Sequence, residues 1–194
     1  MSSKPGVGIF VSAFLALVTL SGCSISTNKD SQTGHDKDVD IRTPLGSISV
    51  HKGSTDAKDT GLALYPGATP KKDMNDDTSS ANVNISSSFF GLKVVALKFQ
   101  SNDAPDKVLG FYRKEMARYG KVLDCTGGFT MGFHHHDQDS EVTCDVHGGS
   151  GHEYKEELKV GTQNNQRIVA VKPSGDGSEF ALVYVRAWDD KTTM

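Results

Sequence analysis

The sequence predicts an α+β fold: a mainly antiparallel sheet packed on one principal helix, with a β-hairpin at the C-terminus. Three observations carry that expectation. A single stretch near residues 103–119 repeats apolar residues at helical spacing. Short apolar runs bounded by turn formers lie on both sides of it. The 194 residues include 20 glycines, with many Ser, Thr and Asn, a composition suited to strands and turns. The length allows one domain with a real core rather than two. The formal charge is −3 and no long basic run is present, so nucleic acid is not an expected partner.

The chain opens with Lys4, an apolar run from Val7 to Leu20, and Leu20-Ser21-Gly22-Cys23. The run of about 14 residues falls short of the roughly 20 that cross a bilayer core. It suits the apolar region of a signal peptide, with an uncleaved span and an ordinary secretory signal as the alternatives. These residues resemble a bacterial lipoprotein signal peptide with its lipobox. That resemblance implies cleavage of residues 1–22 and lipidation of Cys23 on sulfur. More than one acyl chain there makes a lasting anchor. Ser24 in the next position favours the outer membrane, by the same resemblance. The expected location is therefore the cell envelope, lipid-anchored, with the domain outside the cytoplasm. Residues 23–38 are read as the lipidated cysteine and a flexible polar tether, and residues 39–190 as the single domain.

Val39 and Ile41 share one parity, while Ile48 and Val50 share the other. Pro44-Leu45-Gly46 lies between them, which predicts a bend, bulge or tight hairpin there. Residues 51–61 read as a loop. In Leu62-Ala63-Leu64-Tyr65-Pro66-Gly67-Ala68, Pro66 and Gly67 fit the centre of a type II turn and Tyr65 is expected to pack on the core. Asp73, Asp76 and Asp77 sit in a polar loop. Their spacing lacks the alternation and closing Glu of an EF-hand, so turn chemistry explains them better than calcium. Val83 and Ile85 alternate with Asn and Ser, as in an edge or half-exposed strand. Phe89 to Phe99 carries apolar residues on both parities, as expected of a central strand covered on both faces.

The helix is placed with Asp103 as N-cap, Pro105 in the first turn and Asp106 near the positive end of the dipole. Val108, Phe111, Tyr112, Met116 and Tyr119 form its apolar stripe. Arg113, Lys114 and Arg118 suit its C-terminal half as a solvated face, and Gly120 stops it. Residues 121–125 and 141–145 follow as short strands. Residues 156–160, 167–172 and 179–188 read as three more, the last two joined by the turn formers Pro173 to Ser178.

With Cys23 set aside, Cys125 and Cys144 form an even pair in an oxidising location. If their short runs pair antiparallel, the sulfurs come within bonding reach. Two buried free thiols, or thiol ligands to a metal, are the alternatives. Leu64-Tyr65-Pro66-Gly67-Ala68, followed by strands and then Phe111-Tyr112-Arg113-Lys114-Glu115-Met116, is similar to uncharacterised bacterial lipoproteins and secreted proteins. Those pair a Tyr-Pro-Gly-Ala segment with a Phe-Tyr-Arg-Lys-Glu-Leu helix. The resemblance runs in outline from Val39 to the C-terminus and is closest in residues 62–68 and 103–125. It implies a helix packed on an antiparallel sheet and no catalytic residue.

The candidate chemistry lies in the glycine- and histidine-rich segment 126–153. His134 and His136 share a side in extended backbone, and His147 and His152 are the further ligands a hairpin would return. Imidazoles suit zinc, copper or nickel. The spacing matches no standard ligand pattern, and an exposed loop with incidental metal affinity is the rival reading. No G-x-S-x-G elbow, His-Glu-x-x-His or phosphate-binding glycine loop occurs, so no catalytic residue is assigned. The expected function is a non-enzymatic binding or interaction module, with an envelope protein or the cell wall as partner and the membrane reached through the lipid anchor. No cofactor is expected beyond that possible transition metal. The alternatives are metal binding by the 126–153 loop and a hydrolase without a recognisable motif.

Overall fold

A computed structural model describes residues 23–29, 36–53, 55–72, 79–126, 140–144, 154 and 156–189. Its ten strands hydrogen-bond into one sheet. They are β1 (Ser24–Lys29), β2 (Asp36–Thr43), β3 (Gly46–Lys52), β4 (Thr69–Pro70), β5 (Ser80–Ser87), β6 (Phe90–Ser101), β7 (Leu123–Thr126), β8 (Glu156–Thr162), β9 (Asn165–Ser174) and β10 (Gly177–Asp189). The spatial order is β1-β2-β3-β5-β6-β10-β9-β8-β7, with β4 beside β6. Every pairing between strands is antiparallel. The helix α1 (Pro105–Met116) links β6 to β7 and packs on β8, β9 and β10. The fold is α+β, a mainly antiparallel sheet on one principal helix, and β9 and β10 form the C-terminal hairpin.

The parity switch around Pro44 resolves as a hairpin. Val39 faces Val50 and Ile41 faces Ile48, so odd positions of β2 meet even positions of β3. The Pro66-Gly67 turn forms as expected: Ala68 N–H donates to the Tyr65 carbonyl at 3.0 Å and Gly67 takes φ 75°. That turn places Tyr65 against the helix. Its ring meets Phe111 edge-on at 5.3 Å, and its backbone N–H donates to the Tyr112 hydroxyl at 3.1 Å. The two motifs singled out in the sequence are thus two sides of one contact. Burial pushes the Tyr112 phenol well above its ordinary pKa, keeping it protonated.

Alternation along β6, β10, β9 and β8 sends Val95, Leu97, Phe99, Phe180, Leu182, Val169 and Leu158 to the helix side. The opposite face buries Ile168, Val183 and Val185, with Leu92, Val94 and Ala96 packed on them.

Several expectations are corrected. Residues 24–29, expected within a flexible tether, are strand β1, with Ile25 opposite Ile41 and Thr27 opposite Val39. One apolar residue among Ser, Thr and Asn hides a strand, and polar composition is common at a sheet edge. Order therefore begins well before Val39. The expected membrane anchor is corrected with it. No described helix is long and apolar enough to cross a membrane, and Cys23 is exposed and leads directly into β1. Residues 1–22 lie outside the described residues.

The strand holding Val83 and Ile85 is half-exposed but is no edge, since β5 lies between β3 and β6. Residues 51–61 include the end of β3 and a 3-10 turn, Ala57–Thr60, capped by Asp56. Helix α1 starts one residue later than an Asp103 cap would set it. Pro105 holds Ala104 extended as the N-cap, with no side-chain cap bond. The Asp103 carboxylate instead accepts from Lys107 Nζ at 2.7 Å and from the Tyr65 hydroxyl at 3.0 Å. These bonds, Lys107 foremost, hold its pKa below the usual carboxylate range. The helical path ends in a 3-10 turn, Ala117–Tyr119, and Gly120 follows it at φ 134°.

Cys125 and Cys144 are bonded, with Cα atoms 5.4 Å apart. The route to that bond differs from the expected one. Strand β7 pairs with β8, while residues 141–145 form no strand among the described residues and only Glu141 bridges Thr162. The disulfide itself, with Val142 N–H on the Gly161 carbonyl at 3.2 Å, holds the 140–144 segment. Replacing both cysteines by alanine is expected to cost about 3 kcal/mol for a loop of this length. Urea unfolding of the two proteins measures that difference.

Candidate functional site

Register brings two hairpin tips together. Gly46, where β3 begins, pairs with Ser87, where β5 ends. The Pro44-Leu45 turn therefore lies beside the Ser88-Phe89 turn. Ser24 pairs with Arg42 and Asp189 pairs with Phe90, so the start of β1 and the end of β10 reach the same end of the sheet.

This end carries most of the exposed apolar bulk. Leu45 is 74% exposed, Phe89 73%, Ile25 69%, Phe90 51% and Ile48 40%. Among the described residues the one other large hydrophobic side chain so exposed is Leu64, on another part of the surface. Neither turn needs these side chains in order to form. At one tip the Thr43 hydroxyl accepts from the Leu45 N–H at 3.3 Å and donates to the Gly46 carbonyl at 3.0 Å. At the other the Ser87 hydroxyl accepts from the N–H groups of Phe89 (3.2 Å) and Phe90 (3.0 Å) and donates to the Phe90 carbonyl (2.9 Å). Local hydroxyls satisfy both backbones. Leu45 and Phe89 project without a structural task.

The two faces of this end differ. Ile25, Ile48 and Phe90 lie on one, as strand alternation dictates. Arg42, Lys93, Arg186 and Trp188 lie on the other. Gly91 gives the Trp188 indole its bed, because a Cβ there would run into the ring. The Arg186 guanidinium stands 6.0 Å from the indole centroid. Between the tips lies a shallow concavity of about 530 Å³, lined by Arg42, Leu45, Ser47, Ser49 and Ser86 among others.

Two further clefts lie elsewhere on the surface. One of about 500 Å³ is lined by Thr69, Gln100, Asn102, Ser174, Asp176 and Ser178. Another of about 190 Å³ is lined by Tyr119, Lys121, Glu141 and Val142. None of the three holds two carboxylates.

The sequence-predicted ligands His134, His136, His147 and His152 lie outside the described residues, as do Asp73, Asp76 and Asp77. Among the described residues no group of three or more His, Cys, Asp or Glu is placed to hold a metal ion. Sequence reasoning missed the tips. The available signal was apolar bulk at turn positions, Leu45 between Pro44 and Gly46, and Phe89 directly after three serines, where turn chemistry asks for polar or small residues.

No family model matches the chain, and neither a curated protein nor a solved structure matches it.

Proposed function

We propose that this chain is a non-enzymatic binding module that works outside the cytoplasm and docks through the sheet end bearing Leu45, Phe89 and Phe90. The observation that carries this reading is the exposure of those three side chains on, and in the case of Phe90 directly beside, two adjacent turns that form without their help. Large apolar side chains gathered at one place on a surface mark an interaction site. The disulfide supports the compartment, since such bonds persist where the medium is oxidising. The partner on this reading belongs to the cell envelope.

Hydrogen exchange of the full chain mixed with isolated envelope fragments tests it. Amides of residues 45–46 and 88–90 are expected to gain protection. Protection confined to other parts of the fold, or none at all, overturns the reading.

A further inference from the structure

We infer that the surface docked by this end is a lipid surface carrying anionic headgroups, an inference that rests on the docking reading above. Its contacts are made by side chains of the folded domain and do not involve the sulfur of Cys23.

Three features of the end point to a lipid interface. The first is segregation. Apolar Ile25, Ile48 and Phe90 occupy one face, with Asp189 at its margin opposite Phe90, while Arg42, Lys93 and Arg186 outnumber Asp40 on the other. An element lying in the headgroup boundary needs an apolar side for the acyl chains and a cationic side for the headgroups. Trp188, on the cationic face, is of the kind found at membrane–water boundaries, an apolar ring with one polar N–H.

The second is the pairing of like charges. Lys93 and Arg186 are direct cross-strand partners. Two cations opposite each other on a sheet are destabilising by themselves, and an anion set over both relieves them. Among the described residues two carboxylates share this end: Asp40 stands two positions from Arg42 on the same face and is separated from Lys93 by β3 and β5, and Asp189, opposite Phe90, lies on the other face from Lys93 and Arg186.

The third is the concavity between the tips, where the Arg42 guanidinium is accompanied by the hydroxyls of Ser47, Ser49 and Ser86. A guanidinium with hydroxyl donors is a fitting set for a phosphodiester. A stable protein interface needs about 1,000 Å² of complementary surface. Here Leu45 and Phe89 stand on separate turns with serines between them, a shape that favours penetration into a fluid layer over packing against a rigid partner.

Trp188 is the single tryptophan of the chain, so its emission reports on this end. The full chain is mixed with vesicles of phosphatidylcholine alone, with vesicles also containing phosphatidylglycerol, and with inorganic phosphate. Anionic vesicles are expected to shift the emission to the blue and to protect amides 45–46 and 88–90, neutral vesicles to do so weakly, and phosphate not at all. A Leu45→Ser/Phe89→Ser/Phe90→Ser variant is expected to bind anionic vesicles about tenfold more weakly or worse. An Arg42→Gln/Lys93→Gln/Arg186→Gln variant is expected to lose the preference for anionic vesicles. Residues 1–22 are common to all these proteins and cancel in the comparison. Near-ultraviolet dichroism of each variant reports an intact fold.

Equal vesicle binding by wild type and the tip variant overturns the inference. So does a phosphate response equal to the vesicle response. Tip protection by envelope fragments but not by vesicles sinks the lipid assignment and leaves the docking reading standing. Protection by neither sinks both.

Discussion

Replacing Lys159 by alanine is expected to destabilise the fold by about 3–5 kcal/mol, the usual cost of stripping one partner from a buried ion pair. Lys159 Nζ stands 3.0 Å from Glu157 Oε1, and each side chain is only 3% exposed. Both lie on the sheet face away from α1. Glu157 is directly opposite Cys125 and Ala170, and Lys159 is between Leu123 and Ile168. Alanine at 159 removes the cation 3.0 Å from a buried carboxylate, and the weaker compensation of that charge lowers the stability of the native state. The same argument makes the opposite prediction for the pair removed together. Glu157→Leu with Lys159→Met keeps the volume and deletes both charges, so it is expected to be neutral or mildly stabilising. Urea unfolding at pH 7 reads both, as a shifted midpoint with unchanged slope. A single-variant cost under about 1 kcal/mol, typical of a solvated surface pair, would contradict the burial of this pair.

That ion pair also marks where sequence reasoning ran out. The β8 run Glu157-Leu158-Lys159-Val160 alternates, and alternation ordinarily signals a strand with one wet face. Leu158 and Val160 do face the helix, but the other face is covered too, so Glu157 and Lys159 are buried rather than solvated. Periodicity tells which residues share a face; it does not tell whether something covers that face. The same gap explains β5. Its alternating Val83 and Ile85 resemble an edge, and only the long-range pairing of β3 with β5 makes it interior.

Features governed by neighbours in the chain were the legible ones. The Pro44 hairpin, the Pro66-Gly67 turn, the apolar stripe of α1 and the Gly175-Asp176 turn of the last hairpin each depend on a few adjacent residues. Legibility of the candidate site was poorer for the same reason. Leu45 and Phe89 are far apart in sequence, and they acquire a common meaning only when Gly46 and Ser87 pair.

Phe180→Ala is expected to cost about 3–5 kcal/mol, because it opens a cavity where sheet and helix meet. Phe180 is fully buried in the middle of the sheet, on β10 between β6 and β9. Its ring stacks on Phe99 with centroids 5.6 Å apart, and lies 5.7 Å from Tyr112 and 6.3 Å from Tyr65. Strand β6, helix α1 and the Pro66-Gly67 turn thus all rest on one side chain. The loss therefore extends past its own transfer free energy. Tyr65 and Tyr112 are held partly by packing on this ring, and the bond from Tyr65 N–H to the Tyr112 hydroxyl depends on both staying in place. A variant that keeps most of the volume, Phe180→Leu, is expected to lose clearly less, since the neighbouring rings can close around it. Tyr112→Phe separates the two contributions: it removes the hydroxyl acceptor and leaves the ring packing. Its cost, combined with Phe180→Ala in a double-mutant cycle, should be non-additive because the two rings touch. Strict additivity would mean that the aromatic cluster does not act as one unit, and that the turn and the helix are fixed independently of the strand beneath them.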